Sequence, residues 1–147
     1  MTAYFLLKAL HVLAAVVWVG GMFFAILVLR PSLSVLERPQ RLALHDQVFQ
    51  RFFRIIWHVM PLVILTGYAI IFSVFGGMAG VRWPVHLMTL LGLLMGAVFV
   101  LIYFVPYRRF RTTTELPVKA ASADLIRKLI TLNLALGLIT IVVAHIG

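Results

Sequence analysis

The chain of 147 residues contains no cysteine. That absence excludes disulfides, Cys-ligated zinc, iron–sulfur clusters and a thiolate nucleophile, and it removes cysteine usage as a guide to compartment. Acidic residues are nearly as scarce: there are four, Glu37, Asp46, Glu115 and Asp124, and none lies inside an apolar run. Paired-carboxylate hydrolysis and carboxylate proton relays within the spans therefore have no candidates. A serine–histidine–aspartate arrangement, a phosphate-binding glycine fingerprint, a fixed-period repeat and a low-complexity tract are missing too. The first apolar run has no basic leader or small-residue cleavage motif and is too long for a signal-peptide core, so it reads as retained.

What the chain does have is apolar length. Hydrophobic residues make up 63%, charged residues 12%, and the mean hydropathy is +1.10. Four apolar runs, about 3–29, 52–75, 85–105 and 129–146, are each long enough to cross a bilayer. The expected fold is a single all-α integral membrane domain over 1–147, a four-transmembrane-helix up-down bundle. A net charge of +9 and a pI near 11.2 would suit phosphate, but the basic residues cluster at 30–51 and 106–128 without the aromatic interleaving of a strand-binding surface. This is the pattern of membrane orientation, and it argues against nucleic acid. Both basic segments read as cytoplasmic loops of a bacterial inner-membrane protein, which puts the FGGMAGVRWP connection and both termini on the periplasmic side. Within the first loop, Leu42, Leu44, Val48, Phe49, Phe52 and Phe53 alternate with polar residues, and the segment reads as an amphipathic helix in the interface preceding the second span. His45, in that segment, reads as a solvated interfacial residue.

Against this apolar background His11 stands out. It lies ~12 Å along the first helix from the start of the apolar run, at ~1.5 Å of rise per residue, where an ionisable group needs a partner, a cavity or a metal. Stepping by three and four gives Ala14, Ala15, Trp18, Gly21, Met22 and Ala25 on its face, a shallow groove containing one indole. With the orientation above, His86 and His145 fall in the same outer half, as do Arg82, Trp83, Thr66, Tyr68 and Thr140. An inner group comprises Arg51, Arg54 and His58 on one face of the second span, with Asn133 at similar depth.

Neutral imidazole is a ligand for haem iron, copper and zinc. Haem b also needs a flat slot, which Ala14, Ala15, Gly20 and Gly21 on the first helix and Gly92 and Gly96 on the third could line, with Arg82 placed for the propionates. Copper is the competing metal, since Cu(I) accepts thioethers and Met22, Met60, Met78, Met88 and Met95 follow the initiator.

The stretch KALHVLAAVVWVGGMFF, with Lys8, His11, Trp18, Gly20, Gly21 and Met22 followed by Arg30 and Pro31, resembles the CopD membrane family, named for copper resistance. It is similar, more distantly, to HemJ-type protoporphyrinogen oxidases. Weaker resemblance runs through RFFRIIWHVMPLVILTGY, RWPVHLMTLL and RKLITLNLALGLITIV. The resemblance implies that His11 is the metal or haem ligand and that the family's basic residue at the start of the second span is Arg54, or Arg51. The HemJ pattern has a lysine in the third helix, whereas this chain has Trp83, His86 and Met88 and no lysine there.

Three functions follow as expectations. The first is haem b binding by His11 and His86, with His145, Arg82, Trp18 and Arg54 contributing to the site, in a cytochrome b type membrane oxidoreductase that exchanges electrons with a quinone or a periplasmic partner. The second is copper binding or transport by the same histidines with Met88 or Met22. The third is a cofactor-free structural membrane protein. Membrane lipid is an expected partner of all three, and glycine-lined helix faces suit a homodimer.

Overall fold

A computed structural model describes residues 2–146, and every regular element among them is helical. Four rods are long and apolar enough to cross a membrane: α1 (Thr2–Val35), α2 (Arg38–Val74), α3 (Trp83–Thr112) and α4 (Leu116–Ala144). Only 17 to 33% of the most apolar window of each is buried inside the bundle, so most of the hydrophobic surface faces outward. Phe5, Leu6, Leu13, Val16, Leu65, Phe72, Leu101 and Val142 are among the exposed side chains. A surface this apolar requires lipid rather than water as its solvent. The chain is a multi-pass membrane protein.

Successive helices are antiparallel, and the register is visible in their side-chain pairings. His11 meets Val63 while Gly21 meets Phe52, Met60 meets Gly96 while Phe53 meets Phe99, and Met95 meets Asn133 while Phe110 meets Lys119. The dominant packing is α1 on α2 and α3 on α4, and α1 also closes against α4.

The helices are longer than their apolar runs. The segment expected to lie in the interface is instead the first part of α2, continuous with the span. A capping box formed by Glu37 and Gln40, with a proline in the first turn, starts this helix at Arg38, and Arg41, Gln47 and Gln50 then face outward while Leu42, Phe49 and Phe53 turn inward. Its 37 residues rise ~55 Å, well beyond the ~30 Å of hydrocarbon, so the basic end projects from the membrane. Likewise α4 starts at Leu116 rather than near 129, and α3 continues to Thr112. The basic segments expected as loops are therefore mostly helix, and the connections shrink to a few residues.

Prolines are absorbed without ending these rods. Pro31 has no N–H to offer the carbonyl four residues back, and the preceding turn, Ala25–Leu29, widens to π geometry in which the Arg30 N–H donates to the Ala25 carbonyl. A second π turn, Tyr103–Tyr107, holds Pro106 in α3. Between α2 and α3, Gly76 and Gly77 take φ of 77° and 123°, and a Cβ at Gly80 would lie 2.1 Å from the Phe75 carbonyl oxygen, so this turn demands glycine.

Aromatic rings gather at the basic end of the core. Phe53 packs at 4.7 Å from Tyr107, 5.5 Å from Phe49 and 5.8 Å from Phe99, and Phe49 lies 5.4 Å from Phe110, all centroid distances suited to aromatic attraction.

Candidate functional site

His11 is half-buried and turned onto α2. Its Nδ1 lies 2.9 Å from the Val63 carbonyl oxygen and 3.0 Å from Thr66 Oγ1. A carbonyl can only accept, so Nδ1 carries the proton, and Thr66 spends its own on the Leu62 carbonyl at 2.6 Å. The ring rests over Gly67, where a Cβ would come within 3.2 Å of His11 Cε1. Fixing the proton on Nδ1 leaves Nε2 as the basic nitrogen, the arrangement by which outer hydrogen bonds orient a ligating imidazole. The sequence reading placed Thr66 at the right depth but missed the Val63 carbonyl and the Gly67 notch. A glycine directly after a threonine, in antiparallel register with His11, was the available signal.

The other candidates are distributed rather than gathered. His86 is exposed three residues into α3, ~5 Å of rise from its start, whereas His11 is nine residues into α1, ~14 Å. His145 lies just past the end of α4, exposed, and its Nδ1 donates to the Ile141 carbonyl at 2.8 Å. Arg82 caps the start of α3 through its backbone and is exposed. Trp18 is 2% exposed and belongs to the packed core. Arg54 stands at the basic half of α2, nine residues from Val63, beside a cavity it shares with Gln50, Trp57, His58, Tyr103, Tyr107 and Arg111. Its carbonyl accepts from His58 Nδ1 at 2.8 Å. Among the described residues no group of three or more His, Cys, Asp or Glu side chains stands close enough to hold a metal.

The slot expected for a haem is filled or faces away. A Cβ at Gly21 would lie 2.7 Å from the Phe52 ring, and at Gly96 3.4 Å from Met60 Sδ and from Ile64. Gly20 and Gly92 meet nothing within 4 Å, and Gly20 is exposed on the outside of the bundle. Gly21 and Gly96 serve close helix packing, and the residues present do not fit a porphyrin between α1 and α3. Three methionines of the spans, Met22, Met60 and Met95, are buried in the core.

Asn133 is 1% exposed, and its amide donates to the Met95 carbonyl at 3.1 Å, tying α4 to α3. His45 departs most from expectation. Because α2 is unbroken from Arg38, the ring turns inward, stacks on Phe49 at 5.3 Å and buries an Nδ1 that has no hydrogen-bond partner.

The chain matches the family model described as copper resistance protein D over residues 46–146. No curated protein and no solved structure matches it. The match spans more than half of the chain, and the chain therefore belongs to the CopD family of membrane proteins. The matched segment holds α3, α4 and most of α2, where the motifs looked weakest, and leaves out α1 with His11.

Proposed function

We propose that this protein handles copper at the membrane, with His11 receiving the ion as cargo through Nε2. The observation that carries the reading is the anchoring of His11 Nδ1 by the Val63 carbonyl and Thr66 over the Gly67 notch, which orients one nitrogen and leaves the other basic. The family description, copper resistance, supports the choice of metal. Buried thioethers at Met22, Met60 and Met95 supply soft donors in the same bundle, of the kind Cu(I) prefers. The basic ends of the helices belong on the cytoplasmic side by the positive-inside rule, which sets His11 in the periplasmic half of a bacterial inner membrane.

The test is copper content. Detergent-purified protein loaded with Cu(I) and desalted should retain copper, and His11→Ala should lose it while His145→Ala keeps it. Equal retention in wild type and His11→Ala contradicts the reading. An iron-bearing Soret band in the same sample would replace copper with haem and electron transfer.

A further inference from the structure

At the basic end, away from His11, α1, α2 and α4 enclose a cavity of about 220 Å³. Its polar wall carries Arg30, Arg38, Arg41 and Arg127 against a single carboxylate, Asp124. That carboxylate is already engaged, at 2.9 Å by Arg127 and 3.2 Å by Lys128. His45 also lines the cavity. The rest of the lining is largely apolar, with Ile26, Leu29, Leu42 and Ile130 among others. The π turn Ala25–Leu29 runs along it, and widened turns of this kind recur at functional sites.

Positive charge gathered beside a greasy wall at the edge of a membrane calls for one ligand that is anionic at one end and apolar at the other. We infer that this cavity binds the phosphate group of an anionic phospholipid, with the arginines on the phosphate and the acyl chains against Ile26 and Leu42. Arginine suits this task because its planar fork donates to phosphate oxygens, and basic pockets between transmembrane helices take such headgroups. The site is independent of copper at His11, so either can fail without the other.

The experiment is native mass spectrometry of the full chain in neutral detergent, titrated with phosphatidylglycerol, phosphatidylcholine or inorganic phosphate. One phosphatidylglycerol should bind per chain in preference to phosphatidylcholine. Arg30→Gln with Arg41→Gln, both exposed and on two different helices, should weaken it about thirtyfold, at the usual strength of a basic residue near an anionic surface. Arg108→Gln with Arg109→Gln removes the same charge outside the cavity and should change binding less than twofold. Equal weakening by both pairs would mean general charge attraction and overturn the cavity site. No preference for phosphatidylglycerol would overturn it as well, and displacement of the lipid by equimolar inorganic phosphate would overturn the lipid as ligand.

Discussion

The two halves of the bundle are held together by different means. At the basic end Phe49, Phe53, Phe99, Tyr107 and Phe110 interlock ring against ring, all 7% exposed or less. At the His11 end, contact is made by small residues and single polar links, with His11 over Gly67, Val19 against Gly137, and Asn133 at mid-bundle on the Met95 carbonyl. Lipid tails are as apolar as leucine, so helices in a membrane associate through packing and interhelical hydrogen bonds rather than through expulsion of water. Large rings supply many dispersion contacts at one end, and close backbone approach does so at the other. The aromatic half is the clamp, and the histidine half, joined by small residues, is where an imidazole can sit in hydrocarbon and still present a nitrogen.

Breaking the clamp should have the largest effect. Phe53→Ala removes a ring that is 1% exposed and packs α2 against Phe99 and Tyr107 of α3, and it should cost about 3 kcal/mol or more, read as a lower midpoint in a detergent unfolding titration. At the small-residue end Gly137→Ala sets a Cβ 2.9 Å from Val19 Cγ2 and 3.2 Å from Met95, and a loss of about 1–2 kcal/mol is expected in the same titration. If the glycine change proves the costlier of the two, the assignment of clamp and adaptable half is reversed. Asn133→Leu should cost only about 0.6 kcal/mol, the usual worth of one interhelical hydrogen bond, because one amide oxygen is unpartnered already. Smallest of all, Asp124→Asn should shift stability by less than about 0.5 kcal/mol, since its pairs with Arg127 and Lys128 are solvent-accessible.

The same contrast explains what the sequence revealed and what it concealed. Apolar run length announced four spans, and His11 announced itself by its depth. Helix ends were hidden because α2 and α4 continue into polar residues, where hydropathy falls but capping by Glu37 and Gln40 and the good helix formers of 116–128 keep the backbone helical. The family match to CopD agrees with the resemblance drawn from the residues, although it lies on α2 to α4 rather than on the motif around His11. Glycines were misleading as a cofactor slot, since a missing Cβ looks the same in sequence whether a porphyrin or a neighbouring Phe52 or Met60 fills the space. His45 was concealed for the opposite reason. Its position in a basic, polar stretch suggested solvent, and only the unbroken rise of α2 from Arg38 turns it against Phe49 and into the arginine-lined cavity.

The proposed role of the oriented His11 imidazole is that of a copper ligand. It is tested most directly by measuring copper and iron per chain, with an optical spectrum of the same sample before and after dithionite, for wild type and His11→Ala loaded with Cu(I). Near-stoichiometric copper in wild type, at least tenfold less in His11→Ala and no Soret band in either is the predicted result. Copper retained equally by both proteins, or a Soret band with matching iron in wild type, would contradict it.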